Sequence, residues 1–220
     1  MTRITWLGQS AFLLAGSRRV FVDPFGDMSE RLKQSGRRFD YPPIEGVEAD
    51  VLLVTHEHFD HNAVEVVGGD PHVVRAQAGT LATPIGEIVG IASEHDPFAG
   101  TQRGHNTIYR FTVDGTTFCH FGDFGQSELR PEQREAIGDV DVLFLPAGAG
   151  PTVSHEVGAA IVRELAPRTT VVMHHGNAAV DFLEPPDGLF AALGVGPVRL
   201  ETNETDDLPE GVVVFAVPRP

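Results

Sequence analysis

The sequence is poor in cysteine and in long apolar runs. Cys119 is the one cysteine among 220 residues, so no disulfide can form within the chain, as is usual in reducing compartments. Every apolar run is far shorter than the roughly 18 residues that a transmembrane helix requires. Residues 1–15 hold only short apolar runs broken by Gly8-Gln9-Ser10, which does not fit a secretory signal. We therefore expect a cytoplasmic protein that does not enter a membrane.

Positive charge is also scarce. The chain has 16 Lys and Arg residues against 31 Asp and Glu residues, a formal net charge of −15. Such a balance repels polyanions, so a nucleic acid is disfavoured as the main partner. A small anion bound at a metal is still compatible with it. We expect a small-molecule substrate, and the sequence leaves a homo-oligomer open.

The length and the apolar pattern predict a single α/β domain over residues 1–220. Short β-branched runs separated by turn residues predict strands. These runs are residues 4–7, 11–14, 20–22, 51–54, 85–91, 107–113, 116–119, 140–145, 170–173, 198–200 and 212–217. Helices are predicted at residues 131–137 and 154–165, the second capped by Ser154. The Asp114-Gly115 turn predicts an antiparallel hairpin, so the sheets should be mixed.

Three polar segments are predicted to lie outside these elements. The loops Asp27 to Asp40 and Asp96 to Gly104 are polar and could border a site. The acidic run Glu201 to Glu210 is predicted to be a solvated connection before the last strand.

The strongest functional signal is the run His-Glu-His-Phe-Asp-His at residues 56–61, directly after the apolar run 51–54. In an extended chain, residues two apart point the same way, so His56 and His58 can face one ion. Imidazole and carboxylate ligands suit zinc, and also iron or manganese. The run therefore predicts a metal site.

The end of the same run can serve a second ion. Asp60 and His61 lie one turn further along, where a helix over residues 62–67 is predicted to aim both at that ion. The His-Glu-x-x-His helix motif of other zinc enzymes is excluded, because position 60 is aspartate.

Further potential ligands also follow buried strands. They are Asp23, His95, Asp123 and His174. Strand ends converge at one edge of α/β structures, and sites form there. The sequence thus predicts a rim of His and Asp side chains.

With these residues, the chain resembles the small, stand-alone bacterial and archaeal members of the metallo-β-lactamase superfamily. The matching stretches are Leu7-Gly8-Gln9-Ser10-Ala11-Phe12, Val22-Asp23-Pro24, residues 56–61, Glu94-His95-Asp96, Cys119-His120-Phe121-Gly122-Asp123 with Gly125, and Val172-Met173-His174. The resemblance implies a four-layer αββα sandwich with mixed sheets and two divalent metals at one edge of the sheets.

The resemblance also implies a role for each residue of the rim. The first metal would be held by His56, His58 and His95. The second would be held by Asp60, His61 and His174, with Asp123 bridging both. Asp23 would orient a ligand histidine. Asp60 would also orient the nucleophile, a hydroxide bridging the metals.

Some positions stay open. His174 and His175 are adjacent, and strand alternation lets only one of them face the metals; we choose His174. His105 and His120 compete with His95 for the first metal. Gln9 and Gln126 depart from the family pattern, but neither position is a metal ligand in it. Gln126, His105 and His175 are candidate substrate contacts.

The predicted function is metal-dependent hydrolysis of a small ester-like substrate, such as a lactone, a thioester or a phosphodiester. One alternative is an iron-dependent redox enzyme of the same fold. Another is a metal-binding protein without catalysis, although every ligand position of the family pattern is filled here.

Overall fold

The computed structural model describes residues 2–28, 32 and 35–219. The strands within them are β1 (Arg3–Gly8), β2 (Ala11–Ala15), β3 (Arg19–Val22), β4 (Val51–Val54), β5 (His72–Arg75), β6 (Gly79–Thr83), β7 (Gly86–Glu94), β8 (His105–Val113), β9 (Thr116–His120), β10 (Val142–Pro146), β11 (Thr169–Met173), β12 (Val198–Arg199), β13 (Glu204–Thr205) and β14 (Gly211–Val214). The helices are α1 (Pro131–Ile137), α2 (His155–Leu165) and α3 (Asp187–Leu193), with a 3₁₀ turn at Val64–Val66.

The strands form two mixed sheets, as predicted. The six-stranded sheet has the order β13-β1-β2-β3-β4-β5, and its β3, β4 and β5 are parallel. The eight-stranded sheet has the order β12-β14-β11-β10-β9-β8-β7-β6. In it, β9, β10, β11, β14 and β12 are parallel, and β6 to β9 are antiparallel. The Asp114-Gly115 turn joins β8 and β9 as a hairpin, as predicted.

Apolar side chains from both sheets fill the space between them. Phe12 and Phe21 come from the first sheet, and Phe118 and Phe144 from the second. All four residues of β4 are buried, which explains its unbroken apolar sequence, because a central parallel strand is covered on both faces.

The helices complete the α/β sandwich. Ile137 of α1, Ile161 and Leu165 of α2, and Leu189 of α3 form a second apolar cluster with residues of the eight-stranded sheet. The connections between the parallel strands β3, β4 and β5 must cross a face of the six-stranded sheet.

Several local predictions were wrong. Residues 62–67 form only the 3₁₀ turn Val64–Val66 and not the predicted helix. Among the elements of the described residues, the sequence missed β5, β6, β13 and α3. The strand β13 lies inside the acidic run Glu201 to Glu210 and pairs with β1, so that run is not only a solvated connection. Within the loop Asp27 to Asp40, residues 29–31, 33 and 34 lie outside the described residues.

In the described part of the chain, every helix is too short or too polar to cross a lipid bilayer.

Loss of the aromatic ring of Phe144 from the core should lower the stability of the protein strongly. This fully buried side chain lies 4.5 Å from the ring of Phe12 and 6.2 Å from that of Phe118, measured between centroids. We expect Phe144→Ala to lower the free energy of unfolding by about 3 to 5 kcal/mol, because it leaves a cavity. Urea denaturation measures the change. Phe98→Ala is the control, since Phe98 is 57% exposed, and an equal loss in both variants would contradict the assignment of the core.

Candidate metal centre

The strand ends of the two sheets meet at one edge. The parallel strands β3 and β4 are followed by Asp23 and His56, and β9 and β11 by Asp123 and His174. The strand β7 runs in the same direction as β9, since both are antiparallel to β8, and it is followed by His95. The parallel directions therefore bring residues from distant parts of the sequence to one place.

The first group of potential metal ligands is His56, His58 and His95. Their ligand nitrogens all lie within 4.8 Å of one another. His56 Nε2 and His58 Nδ1 are 3.0 Å apart. Two nitrogens bound tetrahedrally to one zinc ion would be roughly 3.3 Å apart. The three imidazoles are thus spaced to share an ion.

The second group is Asp60, His61 and His174, whose ligand atoms also lie within 4.8 Å of one another. His174 follows β11 with a positive φ of 47°, a conformation that non-glycine residues adopt rarely and mostly where surrounding structure enforces it. Its Nε2 is 4.0 Å from Asp60 Oδ2.

Asp123 lies between the two groups. Its Oδ2 is 3.0 Å from His95 Nε2 and 3.8 Å from His56 Nε2 in the first group. The same oxygen is 3.3 Å from His61 Nε2 and 3.2 Å from His174 Nε2 in the second group. One carboxylate therefore reaches both groups.

The turn before Asp123 requires glycine. Gly122 has a φ of +54°, and a Cβ atom there would lie 2.3 Å from Asn106 Oδ1 and 2.7 Å from Thr55. The same Asn106 oxygen accepts a hydrogen bond of 3.0 Å from the Asp123 N–H. This packing fixes the position of Asp123.

Asp23 is fully buried and acts as an acceptor for three donors. It accepts hydrogen bonds from the Thr55 N–H at 2.8 Å and the Thr55 hydroxyl at 2.7 Å. It also lies 2.9 Å from His61 Nδ1. The Thr55 oxygen in turn lies 3.0 Å from His56 Nδ1. A carboxylate only accepts, so His61 must carry its proton on Nδ1. The Thr55 hydroxyl donates its own proton to Asp23 and can therefore only accept from His56, which places the His56 proton on Nδ1 as well. Nε2 of both histidines then faces the centre without a proton.

The carboxylate of Asp23 could either bind a metal ion or hold a ligand histidine in position. Asp23, His56 and His61 are close enough to form a third ligand group. Both oxygens of Asp23 are, however, engaged by Thr55 and His61, an arrangement in which the carboxylate contacts the far side of the His61 ring.

The buried donor set fits a metal ion. Among the described residues, His61 Nε2 and Asp123 Oδ1 are buried and form no hydrogen bond. Unpaired buried polar atoms are costly, and a cation at this position would satisfy them. Imidazole and carboxylate are ligands for zinc, iron and manganese.

The histidines and carboxylates of the centre shift one another's pKa values. Burial lowers the pKa of His56 well below its ordinary value, and the neighbouring charge of His61 lowers it further. Burial would also lower the pKa of His61, but nearby carboxylates, Asp123 first among them, raise it well above the ordinary value. Burial would raise the pKa values of Asp60 and Asp123, but the positive imidazoles outweigh it and lower both. The geometry thus favours ionised carboxylates, which attract a cation.

Gln9 belongs to the site, although the sequence indicated only that it departs from the family pattern. Its Nε2 donates a hydrogen bond of 3.0 Å to Asp60 Oδ2. The backbone carbonyl oxygen of Gln9 accepts hydrogen bonds from the Trp6 indole N–H at 3.0 Å and from the His174 backbone N–H at 3.1 Å. The sequence signal that could have revealed Gln9 is its place next to Gly8, between two predicted strands. In the structure this turn joins β1 to β2 at the same edge, and Gln9 has a φ of 50°.

The candidate substrate contacts are not brought to the metal centre. Gln126 is buried, and its amide is engaged with Arg130, Gln133 and backbone groups. His105 is exposed and pairs with Glu94 across β7 and β8.

The two remaining competitors for ligation also face elsewhere. His175 stacks on Trp6, with centroids 5.8 Å apart, and burial lowers its pKa to about 4. His120 contacts the Ser10 carbonyl through Nε2 at 3.0 Å and accepts from the Gly122 N–H at 3.1 Å. His174 and His95, which the sequence favoured, are the residues that reach Asp123.

The α/β sandwich and the His/Asp donor set at its edge define a metal-binding hydrolase fold. A family model described as "Beta-lactamase superfamily domain" matches residues 3–174. The chain is 30% identical to a UPF0173 metal-dependent hydrolase of Thermococcus kodakarensis, across 80% of this chain and 86% of the relative. The chain belongs to the metallo-β-lactamase superfamily, and its enzyme class is the predicted one, a metal-dependent hydrolase.

Solved structures agree with this membership. A Thermotoga maritima protein assigned to the zinc-dependent hydrolases of the metallo-β-lactamase superfamily has a TM-score of 0.76 and 25% identity, with 98% of both chains covered. A protein of Parabacteroides distasonis assigned as a metal-dependent hydrolase has a TM-score of 0.68 and 19% identity, over 99% of this chain and 94% of the other. The second likeness shows the fold.

Proposed function

We propose that the centre holds two divalent metal ions, preferentially zinc, and hydrolyses a small ester-like substrate. The observation that carries the proposal is Asp123 Oδ2, which lies within 3.8 Å of an imidazole nitrogen from each of His56, His61, His95 and His174. Manganese and iron accept the same ligand types.

In this proposal His56, His58 and His95 would hold the first ion. Asp60, His61 and His174 would hold the second, and Asp123 would serve both sets of ligands. When bound, such a pair supplies Lewis acidity and lowers the pKa of water from about 15.7 toward 7, which provides hydroxide at neutral pH.

Asp60 is the proposed catalytic residue of the protein itself. Both Asp60 and Asp123 line the cleft, but the side chain of Asp60 is 15% exposed and that of Asp123 only 3%. Gln9 fixes one of the Asp60 oxygens. Asp60 can therefore accept a hydrogen bond from the attacking water and orient it, a role that Asp123 is too enclosed to perform.

The cleft next to these ligands has a volume of about 330 Å³, which suits a small molecule. Lactone, thioester and phosphodiester bonds each develop negative charge on oxygen during attack, so the same site can stabilise any of them. The net charge of −15 weighs against a nucleic acid as the substrate.

Elemental analysis of the purified protein tests this proposal, together with hydrolysis assays on a lactone, a thioester and a phosphodiester. We expect about two metal ions per chain and hydrolysis of at least one bond type. A chelator should abolish the activity, and zinc or manganese should restore it. Bound iron with oxygen consumption and no hydrolysis would instead support a redox enzyme. Bound metal with neither activity would support a non-catalytic protein.

Gln9→Met should weaken the second ion selectively. The substitution keeps the length of the side chain but removes the donor to Asp60 Oδ2. We expect the affinity for the second ion to fall about 10- to 100-fold, as for other groups that orient ligands, with the first ion unaffected. Calorimetric metal titration measures both affinities. Gln102→Met, on an exposed loop, is the control, and unchanged affinity in Gln9→Met would contradict the role of Gln9.

A further inference from the structure

Two arginines line the cleft next to the metal ligands, although the chain as a whole is strongly acidic. Arg37 and Arg103 both line the cleft, and both are exposed. Among the described residues, the acidic ones that line the cleft are Asp60 and Asp123, which the proposed function assigns to the metals. With these carboxylates assigned to metal ions, the two arginines are the charged side chains that remain in the described lining.

Arg103 is presented on an ordered loop. The carboxylate of Asp96 accepts hydrogen bonds from the backbone N–H groups of Phe98, Gly100, Gln102 and Arg103, at 2.7 to 3.0 Å. The carbonyl of Gly104 then accepts from the N–H of His95 at 3.0 Å. The loop is thus closed directly against a proposed metal ligand, and this fixes the backbone from which Arg103 reaches the cleft.

Arg37 approaches the cleft from another part of the chain and packs on an aromatic ring. Its guanidinium carbon lies 5.5 Å from the centroid of Phe182, which also lines the cleft. Stacking on a ring orients the planar guanidinium and leaves its N–H groups at the edge available. Within the described ranges, neither Arg37 nor Arg103 forms an ion pair with a carboxylate.

We propose that Arg37 and Arg103 bind an anionic group of the substrate, a carboxylate or a phosphate, at a distance from the bond that is cleaved. The proposal rests on the proposed function and specifies its substrate class. A guanidinium presents paired N–H donors that match the oxygens of carboxylate or phosphate. The overall charge of −15 repels anions, so a local pair of cations is what would allow an anionic substrate to enter.

The apolar part of the cleft limits the rest of the substrate. Phe59, Phe182, Leu183 and Pro151 also line it, and Phe59 is 41% exposed. We therefore assign to this site a small ester-like molecule with a short apolar body and one remote anionic group.

The test uses three 4-nitrophenyl esters of equal length on the metal-loaded protein, with a chain that ends in a methyl group, a carboxylate or a phosphate. We expect kcat/KM to be about tenfold higher for one of the anionic esters than for the neutral one, through a lower KM. The ester that is preferred identifies the anion as carboxylate or phosphate. The double variant Arg37→Gln/Arg103→Gln should lose this preference and keep its metal content.

Arg18→Gln is the control, because it makes the same arginine-to-glutamine change at an exposed position that precedes β3, at the end of the strand opposite to Asp23. It should keep the preference. Equal kcat/KM for the neutral and anionic esters in the wild type, or a preference that survives in the double variant, would overturn the proposal.

A binding measurement separates this proposal from the proposed function. If none of the esters is hydrolysed, ester hydrolysis is contradicted, and calorimetric titration with glutarate and with inorganic phosphate still decides the role of the arginines. Affinity for one of these anions that is about tenfold weaker in the double variant, but not in Arg18→Gln, supports the proposal. Equal affinity in all three proteins overturns it.

Discussion

Asp123→Ala is expected to lose bound metal and activity together. One oxygen of this carboxylate makes contacts of 3.0 to 3.8 Å to four histidines, two from each set of ligands. Its removal takes a ligand from each proposed ion. We expect hydrolysis to fall by about a thousandfold or more, since metal ions stabilise transition-state charge by several kcal/mol. Elemental analysis and rate measurements on the same preparation test both effects.

Asp139→Ala is the control for Asp123→Ala. Asp139 is exposed and precedes β10, at the end of that strand opposite to the metal centre, so the substitution makes the same change of charge at a distance. Full metal content and full activity in Asp123→Ala would remove the basis for a centre with two ions. Metal loss with activity retained would show that the metals are not needed for hydrolysis.

Asp23→Ala is expected to be costly to stability as well as to metal binding. It leaves the two Thr55 donors and His61 Nδ1 without their acceptor in a fully buried environment. Removing one partner from a buried charged network costs about 3 to 5 kcal/mol in the free energy of unfolding. Because His61 also loses the group that orients its ring, metal affinity should fall about 10- to 100-fold.

Asp23→Asn separates these two effects. Asparagine tolerates the positive φ of 52° at this position and keeps one carbonyl acceptor, so we expect a smaller loss of stability than with alanine. Its amide cannot accept from all three donors, so metal affinity should still fall. Urea denaturation and zinc titration measure the two quantities. A metal affinity equal to that of the wild type in both variants would show that Asp23 does not orient His61.

The ligand cluster could be predicted because its pattern is local. The run at residues 56–61 follows the buried strand β4, and its two histidines at positions 56 and 58 do come together, although the chain there is a bend and not the extended segment that was predicted. The helix predicted after it was wrong: the described chain makes only the turn Val64–Val66, so the direction of Asp60 and His61 depends on tertiary contacts such as those with Gln9 and Asp23.

The short edge elements were missed for a related reason. The strand β13 has only two residues within an acidic run, and it exists because β1 offers unpaired backbone groups at the edge of the sheet. Such pairing depends on a neighbour far away in sequence and leaves little trace in local composition.

The sequence by itself determined which side chains can bind a metal, which strands they follow, and the family to which that pattern belongs. Only the tertiary structure decided which histidines face the centre, that Gln126, His105 and His175 do not, and that Gln9, Arg37 and Arg103 border it. The physical reason is that residue type and strand pattern depend on neighbouring residues and can be read from the sequence. The side chains that meet at the edge of the two sheets are set instead by packing between residues far apart in the chain.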